Sequence, residues 1–324
     1  MGNDALQTLG PFLASQRGRG GRGPQALALA ATLCAVLLLS WWAGGGDPAW
    51  GRLDRFPLPD PFRPTDLLPL GALLLLTRLG LPASTSFLLL TALAPPQLGG
   101  MVRKSLAGYG VAFALAALAY GGLAPWLEGR GALSAAAAAA EVAGAEVAAV
   151  AGAEEAGAAE EGRSGEGIWL ALQWLATLAL WSQWLAQDLA NIYVYLPRRL
   201  NLAELLVTLV VLCGAAWLLV ALGGGPIQER LRGKRNSADP RAMTVVTLLY
   251  GGVLALFLGG DRLPLSTSWL FLGLLAGREV GLSCRGRGLP VPQLARELSG
   301  DLLRAAAGLA TSLAVALLVA ADRA

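Results

Sequence analysis

The sequence predicts an all-α polytopic membrane protein made of two inverted repeats, each with transmembrane helices and a re-entrant helical hairpin. Three observations predict it. The chain of 324 residues is 55% hydrophobic and only 15% charged, whereas soluble domains carry about 25% charged residues. Its apolar residues gather into windows at 25–43, 105–126, 168–187, 202–222 and 298–320, near the ~20 residues needed to cross a hydrocarbon core of about 30 Å. Two longer windows, 66–95 and 244–276, are interrupted in the same way, by LPASTS (81–86) and by LPLSTS (263–268).

The elements follow in order. The chain opens on an acidic motif, GNDALQTLGPF (2–12), and continues through an arginine-rich loop, RGRGGR (17–22), into the first apolar span. A polar loop leads to the first interrupted window and then to the span at 105–126. Residues 131–161 are low-complexity alanine, glycine and glutamate, which offer little to bury and read as a flexible or loosely helical linker. The chain then repeats its plan. A span at 168–187 ends in a second acidic motif, AQDLANIYVYLPR (186–198), followed by a loop, a span, the second interrupted window and a final span. Asp4 lies 80 residues before Ser84, and Asp188 lies 78 before Ser266. This divides the chain into a first transmembrane repeat (1–127), a linker (128–167) and a second transmembrane repeat (168–324).

Charge gives the expected orientation. If each interrupted window enters and leaves on one side, loops 14–24, 128–167, 223–243 and 277–297 share a face and hold 14 lysines and arginines. The opposite face, loops 44–65, 97–104 and 193–201, holds 7. The positive-inside rule makes the first set cytoplasmic. Matching loops of the two halves then face opposite sides, as inverted repeats require. Each window reads as two half-length arms meeting at a polar tip, because a proline removes a donor and disfavours helix in the residue before it.

Composition also excludes chemistry. There is no histidine, which removes Ser-His-Asp catalysis, most zinc sites and the commonest proton shuttle. Cys34, Cys213 and Cys284 lack metal-ligand spacing and suggest neither a metal site nor a disulfide framework. The net charge of +3 calls for no nucleic-acid partner. No nucleophile–base pair or phosphate loop is apparent, so the chain is not expected to be an enzyme and no cofactor is expected.

What remains is ion chemistry. Ser84, Thr85, Ser86, Ser266, Thr267 and Ser268 put hydroxyls and amide N–H groups at a helix start, which suits an anion; the plainer role for such residues is helix capping. Asp4 and Asp188 are carboxylates at a membrane span, where a charge usually marks an ion path. Asn3 and Gln7 flank the first, and Gln187 and Asn191 the second. Carboxylate and carbonyl oxygens suit a small hard cation, and the amide N–H₂ groups suit an oxyanion. Arg78 and Arg262 precede the tips and could attract an anion or extend to water. Arg198 and Arg199 read as a loop, and Glu204 as a first-turn residue of its helix.

The pairing of GNDALQTLGP with LPASTS, and of AQDLAN with LPLSTS, resembles the inorganic phosphate transporter (PiT) family. The resemblance covers both halves, roughly 2–126 and 168–320, and omits the linker. It implies symport of an inorganic oxyanion, phosphate above all, with Na⁺ or H⁺ as coupling ion. Ser84, Thr85, Ser86, Ser266, Thr267, Ser268, Asn3, Gln7 and Asn191 would bind substrate, and Asp4 and Asp188 the cation. The chain departs from the family where Phe87 and Trp269 replace a histidine, and where Gln7 and Gln187 replace asparagines. The family's apolar helix before the first acidic motif is not in this sequence, so a first transmembrane helix is expected upstream. The expected setting is the plasma (inner) membrane, crossed several times, with an oxyanion and the lipid bilayer as partners and a homodimer left open. The alternatives are a permease for sulfate or another oxyanion, or a non-transporting membrane subunit on a decayed transporter scaffold.

Overall fold

A computed structural model describes residues 2–16, 21–78, 84–143, 148–221, 240–259, 261–286 and 288–323; side chains are described at these positions except 2–4, 6, 7, 14, 15, 123–166, 240 and 242. All regular structure among them is helical. The helices are α1 (Gly2–Ser15), α2 (Arg22–Ala43), α3 (Leu68–Arg78), α4 (Thr85–Leu93), α5 (Leu98–Ala143), α6 (Ala148–Ile192), α7 (Leu202–Ala221), α8 (Pro240–Leu258), α9 (Thr267–Cys284) and α10 (Val291–Arg323). Short 3₁₀ turns precede α3 and α5 and follow α6.

Among the described residues, four stretches are long and apolar enough to cross a membrane: Arg22–Ala43, Pro95–Gly122, Leu202–Ala221 and Val291–Arg323. They match four of the five expected spans and mark the chain as a membrane protein. The fifth, 168–187, is helical within α6 but falls outside these four. Gln173, Gln183 and Gln187 make it less apolar, and Gln173 and Gln187 are buried where they bond to the protein interior. Leu74, Leu118, Val210, Leu256 and Leu303 are each about 70% exposed, the surface pattern of helices solvated by lipid rather than water.

The second interrupted window differs from its expectation. Around Pro82, α3 and α4 have 11 and 9 residues, about 16 and 13 Å at 1.5 Å per residue, so they are half-length arms. Around Pro264, α8 and α9 have 19 and 18 residues, or about 28 and 27 Å each. The window 244–276 is therefore the centre of two near-full-length helices. The helix continues past Ala276 because Arg278 and Glu279, which look like a loop in sequence, pair at 2.7 Å with side chains only 6% and 12% exposed. Arg278 also lies 5.3 Å over the ring of Tyr120 on α5.

Packing crosses between the halves. α9 lies along α5 through Gly273, Gly277 and Gly281, whose missing Cβ atoms would meet the backbone oxygens of Tyr109, Phe113 and Ala117 in turn. These three pairs advance together by four residues on each helix, so the two helices run parallel, and small residues at i, i+4 let their backbones approach closely. In the other direction α4 packs on α10 through Leu88, Ala92, Val315 and Val319, with Leu76 of α3 added. α2 and α7 also pack together. Arg22 donates to Ala221 O, Cys34 Sγ lies 3.2 Å from Cys213 Sγ, and Trp41 Nε1 donates to Leu200 O at 2.7 Å. One number rises as the other falls, so α2 and α7 are antiparallel.

Candidate functional site

The site forms where α6 passes the starts of α4 and α9. Both helices begin on a capping serine: Ser84 Oγ accepts the Phe87 N–H and Ser266 Oγ accepts the Trp269 N–H, each at 3.3 Å. The capping role therefore belongs to the first serine of each tip, and their hydroxyls are engaged with their own helices. Ser266 is fixed further by its N–H, which donates at 2.8 Å to Ser105 Oγ on α5. Ser105 in turn donates to Met101 O at 2.7 Å.

The second and third residues of the tips face the acidic motif. Thr267 Oγ1 donates to Asp188 Oδ2 at 3.2 Å, and Asn191 Nδ2 donates both to Asp188 Oδ1 at 2.6 Å and to Ser86 Oγ at 3.0 Å. Asp188 and Asn191 stand on one face of α6 because they are three residues apart. Gln187 Nε2 donates to Leu265 O at 2.9 Å, tying α6 to the chain just after Pro264. Asp188 is 3% exposed and Ser86 and Thr267 are 3% and 4%. A carboxylate at that depth is costly unless charge or hydrogen bonds compensate it.

Two buried oxygens beside it, Gln187 Oε1 and Asn191 Oδ1, have no hydrogen-bond partner among the described residues. Carboxylate and amide oxygens such as these are the hard donors a small cation takes. Thr85 and Ser268 are also buried at the two tips. Phe87 and Trp269, which follow them, meet edge to face with centroids 5.8 Å apart and planes at 69°. They close one side of the site where the resemblance expects histidine.

The structure thus brings Ser86, Thr267, Asp188 and Asn191 into one hydrogen-bonded group drawn from both halves of the chain. The side chains of Asn3, Asp4 and Gln7 lie outside the described residues, as does Pro82. The backbone of α1 packs against α6, α8 and α9, with Phe12 edge-on to Trp174 at 4.8 Å. Arg262 stays at the surface, 3.9 Å from Asp54. Glu204 lies in the first turn of α7 as expected, and Asn201 caps that helix: Asn201 Oδ1 accepts the Glu204 N–H at 2.9 Å, and Glu204 Oε2 accepts the Asn201 N–H at 2.8 Å.

Sequence reading missed Arg52. The loop 44–63 is knotted by Asp47, whose carboxylate accepts the Ala49 N–H at 2.7 Å and the Gly51 N–H at 2.5 Å. The knot turns Arg52 inward, where it is 6% exposed. Its Nε donates to Ala186 O at 3.0 Å and its Nη2 to Leu258 O at 3.2 Å. Burial pulls the guanidinium below its ordinary pKa, while Asp188 and then Asp261 favour its charge. No local pattern could have identified it, because only the tertiary fold carries this loop to α6. Compared with known proteins, the chain matches no family model, no curated protein and no solved structure.

Proposed function

We propose that the protein is a multi-pass inner-membrane symporter that moves an inorganic oxyanion, with phosphate as the leading substrate, together with Na⁺ or H⁺. The observation that carries this reading is the meeting of the two Ser-Thr-Ser tips on one acidic motif, with Asn191 reaching Ser86 and Thr267 reaching Asp188. Residues about 180 apart in sequence share one buried polar group, which is costly in an apolar interior without a ligand or proton to handle. The two orphan oxygens of Gln187 and Asn191 support a cation beside Asp188. The hydroxyls and amide N–H groups of the tips support an oxyanion next to it. A cation on Asp188 reduces the repulsion an anion meets, so each ligand strengthens the other's binding.

Inverted repeats are part of the proposal. The antiparallel pairing of α2 with α7 supports them. So does the exchange in which α9 packs on α5 while α4 packs on α10. In that arrangement the site lies between repeats, where rocking of one against the other gives alternating access.

A second reading has one observation in its favour. The edge-to-face contact of Phe87 and Trp269 fills the position of the expected histidines with apolar rings, which suits a non-transporting membrane subunit on a transporter scaffold. Uptake of labelled phosphate into proteoliposomes, with and without inward Na⁺ or H⁺ gradients, separates the two. Symport predicts gradient-driven uptake that Asp188→Asn abolishes. Failure of both phosphate and sulfate to enter would reject symport of these anions and leave the scaffold reading in front.

A further inference from the structure

Arg52 has more hydrogen-bonding capacity than the fold uses. Arginine carries five N–H donors; here Nε and Nη2 are satisfied by Ala186 O and Leu258 O, whereas the buried Nη1 has no partner among the described residues. An unpaired buried donor on a charged group is expensive and calls for an explanation. Ala186 precedes Asp188 by two residues on α6, and Leu258 is the last residue of α8. The guanidinium therefore sits beside the acidic motif, at a helix end whose dipole favours a cation.

The surface next to this loop is suited to anions. A cleft of about 360 Å³ is lined by Arg198, Arg199 and Arg262 together with Asp47, Asp54 and Trp50. Gly51 and Leu53, on either side of Arg52, also line it. Arg198 is held in place by donating to Tyr193 O at 2.8 Å and to Phe56 O at 2.6 Å. The cleft is walled by the residues on either side of Arg52, so a surface with three arginines adjoins the loop that carries a buried positive group with a spare donor.

We propose that Arg52 is the cationic arm of the oxyanion site, its unpartnered Nη1 turned to an anion that enters once a cation neutralises Asp188. This rests on the symport reading and adds the group that couples the two ligands. A cation or proton on Asp188 removes the negative charge that an arriving anion would meet. Nη1 then offers a charge-assisted hydrogen bond to the anion, the stronger class of such bonds. Arginine suits this task because its planar fork can keep its backbone bonds while presenting a further N–H to an oxyanion.

The test is equilibrium binding of labelled inorganic phosphate, with sulfate as competitor, to the full chain purified in detergent. Arg52 variants with Asp188 intact are read at saturating Na⁺ and chains carrying Asp188→Asn in Na⁺-free buffer, each against the parent under the same condition. Arg52→Gln is expected to weaken binding by roughly tenfold, the value of one hydrogen bond to a charged group. Arg52→Lys keeps the charge and should lose clearly less. Asp188→Asn mimics the neutralised site, so it should tighten phosphate binding even though it abolishes gradient-driven uptake, and Arg52→Gln in the same chain should remove that gain. A purely structural Arg52 would not reverse the effect of a substitution at Asp188. An Arg52→Gln isotherm equal to the parent's, or an Asp188→Asn chain that binds phosphate no better than the parent, overturns the proposal. If Arg52→Gln does not fold, Arg52→Lys and Asp188→Asn decide it alone. A parent chain that binds neither anion overturns the symport reading, and this inference with it.

Discussion

The two interrupted windows carry the same Ser-Thr-Ser tip on different supports. After the first tip, α4 stops at Leu93 because Pro95 and Pro96 follow, and the residue before a proline is pushed out of the helical region. After the second tip, α9 continues to Cys284, carried through by the buried Arg278–Glu279 pair. The first splits its support: Leu88 and Ala92 of α4 join a small cluster with Leu76, Val315 and Val319, while Phe87, Leu89, Leu90 and Leu93 belong to the main core. The second belongs to the main core and lies against α5 with backbones in direct approach. The residues behind each tip therefore decide how it is held: the second by backbone contact with α5, the first by side-chain packing.

The sharpest way to break this comparison is to widen one glycine in each support. A Cβ at Gly277 would collide with the Phe113 carbonyl, whereas nothing lies within 4 Å of the Cβ position at Gly71 on α3. Gly277→Leu should abolish recovery of folded protein, because the backbone of α5 cannot move aside as a side chain could. Gly71→Leu should shift stability by no more than about 0.5 kcal/mol in either direction. Thermal unfolding in detergent, followed by circular dichroism, reads both. Equal tolerance at the two sites would mean that α9 is not tied to α5 as described.

Truncating one leucine in each support gives a smaller contrast. Leu274 on α9 and Leu88 on α4 are both fully buried, at 0% exposure. Leu→Ala in a core costs about 2–5 kcal/mol, depending on how far the surroundings collapse into the gap. Leu274→Ala, enclosed by the main core, should lie near the top of that range. Leu88→Ala should lie near the bottom, because the arm beside it, α3, has Leu74 and Leu75 largely exposed and is free to close in. The same unfolding measurement ranks them.

Much of this was legible in the chain. Four of five spans follow from apolar length alone, because lipid solvates them as the sequence suggests. The capping roles of Ser84 and Ser266 and the first-turn place of Glu204 are local and were readable from two or three neighbouring residues. The group formed by Asp188, Asn191, Ser86 and Thr267 could be anticipated from the duplicated motifs. Three features were not read. The glycines at 273, 277 and 281 were visible as a four-residue repeat, but repeat spacing says nothing of which helix they meet. The length of α9 was hidden because Arg278 and Glu279 neutralise one another only once folded. Arg52 and Ser105 reach the site through the tertiary fold, with no neighbour in sequence to announce them.

The finest contrast lies inside the site, where the two tips hold different partners. Thr267 donates a hydrogen bond from its hydroxyl to the carboxylate of Asp188, whereas Ser86 accepts one from the amide of Asn191. Hydrogen bonds to a charged group contribute about 1.5–3 kcal/mol, and those between neutral groups about 0.5–1.5. Asn191 Nδ2 also keeps its 2.6 Å bond to Asp188 when the Ser86 hydroxyl is removed, so that donor is not stranded. Thr267→Val, which preserves shape, should therefore cost about 2 kcal/mol of unfolding stability, and Ser86→Ala less than about 1. Adding Asp188→Asn should shrink the Thr267 effect to the neutral range while leaving the Ser86 effect nearly unchanged, since only the first depends on the carboxylate's charge. A Thr267 effect that survives Asp188→Asn undiminished would assign its stabilisation to packing at the start of α9, and the second tip would then be structural scaffold rather than the partner of the acid.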